Sequence, residues 1–209
     1  RDIYIPGDFS SAAFLIVAGL IISKSKITLK DVGLNYYRIG LIDVLKKMNA
    51  RINIKNKRKL NDEDIGDIEV FCSNLKGVNF TGKISPRMID EYPIVFIAAS
   101  FASGTSVFKG LGELKVKESN RLKVMYETLK LLGVKIKMGD SQIEIEGGEN
   151  YNCNSKIKTF DDHRIAMSSL VFGMASNGSV EIDDMSMIKT SFPNFKETFE
   201  GLGAKIKFI

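Results

Sequence analysis

Four short segments of the sequence carry acidic side chains, and two of them also carry basic ones, in patterns that could together bind an anion and transfer a proton. They span residues 6–11, 88–93, 115–121 and 161–164. In the third segment Glu118 and Arg121 are three positions apart, which places them on one side of a helix that begins there. A carboxylic acid can exchange a proton with a reacting atom, and a guanidinium can hold an anionic group through two parallel hydrogen bonds. The segments therefore favour a site for a small phosphorylated or carboxylated molecule.

Each segment also has a plainer structural explanation. Asp8 and Asp90 are of a residue type that caps helix N-termini, and the Glu118–Arg121 pair could be a solvated ion pair. Arg164 is harder to explain in this way, because it opens an apolar helix, where a buried cation requires an anionic partner. For the other segments both explanations stay open at this point.

The segments stand at the starts of predicted helices. Three of these helices, at residues 10–22, 90–101 and 162–175, are apolar on nearly every side. A helix without a polar face has to be buried. The free amide groups and the dipole at a helix N-terminus favour negative ligands. We therefore expect the fold to gather these helix starts, with Arg121 and Arg164, at one end of the domain.

Three stretches of the chain share one order of predicted elements. Each has a short strand, a helix with one apolar stripe, and a closing strand; the closing residues Ile52, Ile136 and Ile206 are separated by 84 and 70 residues. The amphipathic helices span residues 38–48, 120–132 and 192–202, and alternating strands span residues 52–54, 68–71, 134–137 and 143–146. A recurring spacing of this size indicates one supersecondary unit used three times.

The predicted unit is strand, helix, strand, helix, strand, strand. Copies one and two are expected to be complete, whereas copy three ends one strand short. Since proteins usually cover an unpaired sheet edge, we expect a segment upstream of Arg1 to supply this strand, and Arg1 to mark a cut inside a longer chain. The predicted fold class is α/β, as a single domain over residues 1–209 with pseudo-threefold symmetry, apolar helices inside and sheets outside.

The composition excludes several classes of protein. Of 209 residues, 44% are hydrophobic and 26% are charged, which is typical of a globular domain rather than a disordered chain. The longest apolar run, at residues 12–22, is too short to span a bilayer, so no membrane partner is expected. The net charge of +5 is spread along the chain, and the one basic block, at residues 55–59, is predicted to be an exposed turn rather than a nucleic-acid site. Cys72 and Cys153 lack metal-type spacing and suggest reduced thiols in a cytoplasmic protein.

Five motifs, in order, resemble those of the enolpyruvyl transferase family. They are PGD at 6–8 with SSA at 10–12, IDEYP at 89–93, LKVKESNRL at 114–122, DHRIAMS at 162–168 and TSFP at 190–193. Each motif alone is weak evidence for the family, but the five occur in order and are spread over nearly the whole chain. The resemblance implies an inside-out α/β barrel of three repeated units. It also implies a second such domain facing this one, so that this chain lacks the partner domain and a short N-terminal segment.

The resemblance also implies a reaction and roles for particular residues. The family branch with these motifs transfers the enolpyruvyl group of phosphoenolpyruvate to the 5-hydroxyl of shikimate 3-phosphate and releases phosphate, in the shikimate pathway to aromatic amino acids. Asp90 would hold the shikimate hydroxyls and take the 5-hydroxyl proton, and Glu118 would exchange a proton with the enolpyruvyl methylene. Arg121 and Arg164 would bind the carboxylate of phosphoenolpyruvate, with Lys117 beside them. Neither a metal nor a cofactor is implied.

The sequence departs from the family pattern at several positions. A lysine and an arginine near the family's N-terminus are absent, Thr190 stands where many members have a lysine, and Asn120 replaces an aspartate. We therefore expect the isolated chain to be inactive. Two alternatives stay open. One is the related enolpyruvyl transferase that acts on UDP-N-acetylglucosamine and uses a catalytic cysteine. The other is a non-catalytic remnant or interaction module.

Overall fold

A computed structural model describes residues 4–207 of the chain as seven α-helices and nine strands. The helices are α1 (Phe9–Ile21), α2 (Gly40–Lys47), α3 (Tyr92–Ser100), α4 (Arg121–Leu131), α5 (His163–Ala175), α6 (Ser186–Ser191) and α7 (Phe195–Gly201). The strands are β1 (Lys26–Gly33), β2 (Arg51–Leu60), β3 (Glu63–Phe71), β4 (Asn79–Phe80), β5 (Thr105–Lys109), β6 (Lys135–Met138), β7 (Gln142–Glu146), β8 (Asn152–Ile157) and β9 (Asn177–Ile182). Short 3-10 turns span Gly82–Arg87, Ile89–Glu91 and Gly112–Val116.

Three helices form the centre of the domain, as their apolar composition predicts. Each of α1, α3 and α5 contacts the other two. All nine residues of α3 are buried, and the large side chains Phe14, Phe96 and Phe172 are at most 1% exposed. Aspartates cap the N-termini of α1 and α5. Asp8 accepts a hydrogen bond from the Ser11 amide, and Asp162 accepts one from the Arg164 amide.

The sheets lie around this centre and have related topologies. The first has the strand order β1-β3-β2 and the second β4-β5-β7-β6, and in both the last two strands form an antiparallel hairpin. The third contains only β8 and β9, which pair in parallel as β4 and β5 do. In the first sheet the equivalent parallel pairing is a single bridge between Gly7 and Val32. Among the described residues, this bridge is what represents the opening strand of copy one.

Copy three ends differently from the other two. Ile52 and Ile136 lie in strands β2 and β6, which pair with β3 and β7. Ile206 is buried, but residues 204–207 form no strand, because no strand among residues 4–207 lies beside them or along the second edge of β9. A groove of about 590 Å³ follows this edge and is lined by Val180, Ile206 and residues of β1 and α7.

The basic block at residues 55–59 lies within strand β2, so the prediction of a turn there is wrong. Hairpin pairing with β3 extends the strand to Leu60, and the turn falls at residues 61–62. The block is mostly exposed, as predicted, and three of its cations have acidic neighbours: Lys55 pairs with Glu69, Arg58 with Asp31 and Lys59 with Asp64. Both cysteines are free. Within residues 4–207, no helix is long and apolar enough to cross a membrane, and no cluster of side chains has the composition of a metal site.

Candidate active site

The starts of α3, α4 and α5 meet at one end of the domain, where ion pairs connect them. The predicted residues Asp90, Lys117, Glu118, Arg121 and Arg164 all belong to this group. Asp90 lies in the turn before α3, Arg121 and Arg164 open α4 and α5, and the other two precede α4. The fold thus brings together charges that are up to 74 positions apart in the chain.

Arg121 is the centre of this network. Its Nε donates to Asp162 Oδ2 at 2.8 Å, and its Nη2 reaches Asp162 Oδ1 at 3.3 Å. Its Nη1 donates to Asp90 Oδ1 at 2.9 Å, and Nη2 also contacts Glu118 Oε2 at 2.6 Å. The side chain is 0% exposed, and every guanidinium nitrogen has a carboxylate partner. Arg121 therefore holds three carboxylates in fixed positions around one cation.

Asp90 pairs with two of the cations at this site. Besides Arg121, it pairs with Lys117 Nζ at 3.1 Å, and its side chain is 39% exposed. Burial alone would raise the pKa of Asp90, but the charges of Arg164, Lys117 and Arg121 outweigh it and the pKa is lowered. The capping explanation for Asp90 is wrong, because Glu91 occupies the cap position of α3 and no side chain bonds to the helix amides there.

Arg164 differs from Arg121 in having donors to spare. Its Nη1 donates to the Asp90 carbonyl at 3.0 Å and lies 3.5 Å from Glu91 Oε1. In the described part of the chain, the Ser168 hydroxyl is the only buried side-chain nitrogen or oxygen without a hydrogen-bond partner. Among residues 4–207, the hydrogen bond and ion pair of Arg164 are both made by Nη1, and neither Nε nor Nη2 has a partner. Since neither atom is among the buried unpartnered ones, both are open to solvent. Arg164 can thus receive an anion without losing an existing contact.

Asp162 and His163 support the network from the start of α5. Asp162 is fully buried, and burial alone would raise its pKa. The hydrogen bond and the charge of Arg121 outweigh this effect, so the pKa of Asp162 is lowered. The Ser119 hydroxyl donates a further hydrogen bond to Asp162 at 2.9 Å. The pKa of His163 is lowered, first by burial and then by the charge of Arg164. A neutral imidazole beside two arginines adds no further positive charge to the site.

Of the two predicted proton-transfer residues, Glu118 has the more exposed side chain. Its side chain is 49% exposed, and Arg121 is its partner. The pair spans three positions, as the sequence predicts, although the capping residue of α4 is Asn120, which accepts a bond from the Lys123 amide. A half-exposed carboxylate beside a cation can reach a bound molecule by a change of side-chain rotamer.

Two residues at this site carry no functional assignment from the sequence. Glu91, next to Asp90, is only 4% exposed and accepts a hydrogen bond from Ser10 Oγ at 2.6 Å. Burial raises the pKa of Glu91, although the Ser10 hydrogen bond and the charge of Arg164 oppose the rise. The only sequence signal for Glu91 is the clustering of two carboxylates and Tyr92 before an apolar helix; Ser10 has none beyond its place in the first turn of α1.

Comparison with solved structures gives the class of protein. The crystal structure of the enolpyruvyl transferase NikO from Streptomyces tendae aligns over 99% of this chain with a TM-score of 0.79, at 16% identity, which shows a shared fold. The fold is that of the enolpyruvyl transferases, so the predicted inside-out α/β class is confirmed, with three separate sheets around the helices.

The particular family follows from closer relatives. The family model of EPSP synthase (3-phosphoshikimate 1-carboxyvinyltransferase) matches residues 1–199, and the chain belongs to this family. It is 47% identical to the 3-phosphoshikimate 1-carboxyvinyltransferase of Rhizobium johnstonii over 98% of this chain and 46% of the relative. It is 46% identical to the 3-phosphoshikimate 1-carboxyvinyltransferase of Zymomonas mobilis, over 99% of this chain and 47% of that relative. An EPSP synthase structure from Acinetobacter baumannii aligns with a TM-score of 0.95 at 37% identity, over 98% of this chain and 48% of that one. The chain thus spans about half the length of these relatives.

Proposed function

We propose that this chain is one half of an EPSP synthase and supplies part of its active site. In this proposal the complete enzyme transfers the enolpyruvyl group of phosphoenolpyruvate to the 5-hydroxyl of shikimate 3-phosphate. The observation that carries the proposal is the convergence of Asp90, Lys117, Glu118, Arg121 and Arg164 on one rim at the helix starts. Dipoles and fixed cations there are suited to two anionic substrates.

Arg164 is proposed to bind the carboxylate of phosphoenolpyruvate. Its free Nε and Nη2 atoms are adjacent donors on one planar group, which suits the two oxygens of a carboxylate. Lys117 lies beside this position because it pairs with the side chain of Asp90, whose backbone carbonyl binds Arg164. The prediction that Arg121 also binds the carboxylate requires an exchange of partners, in which a substrate oxygen replaces Glu118 or Asp90 on its guanidinium.

The proposed chemistry uses three proton transfers, two in an addition step and one in an elimination step. In the addition step, the 5-hydroxyl oxygen bonds to C2 of phosphoenolpyruvate, Asp90 takes the hydroxyl proton, and Glu118 gives a proton to the C3 methylene. In the elimination step, Glu118 takes one proton back from the new methyl group while the C2–O bond to phosphate breaks and phosphate leaves. The lowered pKa of Asp90 keeps it ionised at neutral pH, as a proton acceptor has to be.

A direct test compares this chain with the complete enzyme in a coupled assay of phosphate release. Phosphoenolpyruvate and shikimate 3-phosphate are the substrates, and this chain alone is expected to be inactive. In the complete enzyme, Arg164→Ala should raise the KM for phosphoenolpyruvate by about 100-fold, as expected when a hydrogen-bonded charge pair to a ligand is lost. Arg51→Ala, which removes an exposed arginine from β2, is the control. No turnover in either form, with folding intact, would contradict the proposal and favour a non-catalytic role.

We also propose that residues 1–209 form one domain that is completed by a strand from elsewhere in the longer protein. Among residues 4–207, no strand pairs with the second edge of β9, and a groove of about 590 Å³ lies beside this edge. In the other two sheets, the strand equivalent to β9 pairs on this side with β3 or β7. A chain extended upstream of Arg1 should therefore unfold at higher temperature than this chain, and an equal melting temperature would contradict the proposal.

The proposed location is the cytoplasm, in keeping with the two free thiols.

A further inference from the structure

Asp90 and Glu91 are consecutive carboxylates that bind different partners. Asp90 pairs with Lys117 and Arg121, whereas Glu91 lies between α1 and α5 and contacts Ser10 and Arg164. The Glu91 side chain is 5% exposed and the Arg164 side chain is 10% exposed. A carboxylate this deeply buried is retained only with partners that offset its desolvation. Both partners lie at helix starts, so Glu91 connects α1 and α5 to the turn before α3.

The Ser10 hydroxyl is oriented by a further contact. Arg38 Nη2 donates to Ser10 Oγ at 3.0 Å, and Ser10 donates its own proton to Glu91 Oε1 at 2.6 Å. Because the hydroxyl accepts from one side and donates to the other, the position of Glu91 Oε1 is fixed. This oxygen is also the one that faces Arg164, at 3.5 Å from Nη1.

The position of Glu91 determines how Arg164 is held. In the part of the chain that the structure describes, the two acceptors at Arg164 are Glu91 Oε1 and the Asp90 carbonyl, and both lie at Nη1. A guanidinium anchored at one nitrogen presents its other two, Nε and Nη2, in a defined plane. An arginine side chain without such an anchor has many rotamers, and ordering them on binding costs affinity.

We propose that Glu91 is a positioning residue for Arg164, which fixes the guanidinium so that its free donors face the anion-binding rim. The inference rests on the proposed function, in which Arg164 binds the carboxylate of phosphoenolpyruvate. Glu91 does not touch the substrate in this arrangement and acts only through Arg164. Ser10 and Arg38 hold Glu91 in turn.

A double-mutant cycle in the complete enzyme tests this inference. Glu91→Ala should raise the KM for phosphoenolpyruvate by about tenfold, with a smaller change in kcat and in the KM for shikimate 3-phosphate. In an Arg164→Ala background, Glu91→Ala should have little further effect on that KM, because the residue through which it acts is gone. Glu91→Gln, which keeps an acceptor oxygen, should recover part of the loss. Glu127→Gln, on the exposed face of α4, is the matched control.

The outcomes separate the two proposals. If Arg164→Ala leaves the KM for phosphoenolpyruvate unchanged, the proposed role of Arg164 is wrong, and the inference on Glu91 falls with it. If Arg164→Ala raises this KM but Glu91→Ala and Glu91→Gln only lower the melting temperature, Glu91 is structural and the inference alone is overturned. Equal effects of Glu91→Ala with and without Arg164 also overturn it. Should Glu91→Ala not fold, the same cycle with Glu91→Gln decides the question, with a smaller rise in KM expected.

Discussion

Asp162 and Arg121 form a two-point ion pair that is closed to solvent on both sides. Nε and Nη2 of the arginine contact Oδ2 and Oδ1 of the aspartate at 2.8 and 3.3 Å, and both side chains are 0% exposed. The pair joins α4 to α5, which belong to different copies of the repeat. The same carboxylate also caps α5 at the Arg164 amide. One contact therefore both connects two repeats and orients the cations of the candidate site.

Asp162→Asn should destabilise the fold strongly. Asparagine can still cap α5 and accept one bond from Arg121, but it leaves the buried guanidinium short of one negative charge. Removing one partner of a buried pair costs about 3–5 kcal/mol, and the free energy of unfolding from urea denaturation measures it. Glu127→Gln, which removes an exposed partner of Lys123, should change this free energy by less than about 0.5 kcal/mol. Equal values for the two variants would contradict the central role of the Asp162–Arg121 pair.

Glu118→Gln should lower kcat of the complete enzyme far more than it changes either KM. Glutamine preserves the size of the side chain and a contact with Arg121, but it has no carboxyl group to exchange a proton with the methylene carbon. Loss of a general acid typically lowers the rate by about 10²–10⁴-fold. Steady-state kinetics with both substrates give the measurement, with Glu127→Gln as the control. A change confined to KM would remove Glu118 from its proposed role.

The inner helices were predictable because their composition leaves no exposed face. The prediction of residues 162–175 differs from α5 only by its capping residue Asp162, and residues 10–22 differ from α1 by one residue at each end. The meeting of Asp90 and Arg164 also follows from the repeat, since α3 and α5 are equivalent inner helices and start at the same end. Arg121 opens α4, an amphipathic helix at another position of the repeat, and its ion pairs with Asp90 and Asp162 fix its place. Strand β8 carries no comparable signal, because its polar sequence is stabilised by parallel pairing with β9.

The partners within the site were not predictable from the sequence. Asp90 is of a capping residue type, yet its carboxylate pairs with Lys117 and Arg121, because the buried guanidinium of Arg121 needs several anions. The link from Arg38 through Ser10 to Glu91 joins residues 28 and 81 positions apart. Such contacts depend on how α1 packs against the turn before α3, and helical or strand periodicity does not report this packing.

Gly147→Ala should destabilise the domain, because the loop after β7 passes directly over the end of α3. A Cβ atom on Gly147 would lie 1.9 Å from the Ala102 carbonyl oxygen and 2.7 Å from that of Ala99, both of which are backbone atoms. Relieving such an overlap typically costs about 1–3 kcal/mol or more, measured as the change in the free energy of unfolding. Gly112→Ala, where a Cβ would meet no atom within 4 Å, is the matched control. A stability equal to that of the control would show that the loop can move away.

His163 should titrate below the usual histidine range, and a single NMR signal can report it because the chain contains only one histidine. Burial and the charge of Arg164 lower the pKa of His163 from 6.5. The folded state then binds this proton less readily than the unfolded state, so stability is complete above pH 6.5 and decreases as the pH falls through 6.5 towards the lower folded pKa. Proton NMR of the imidazole ring across this range measures the pKa directly. Arg164→Ala should raise it, whereas the exposed control Arg51→Ala should leave it unchanged. A pKa at or above 6.5 in the unaltered chain would contradict the packing of His163 beside the two arginines.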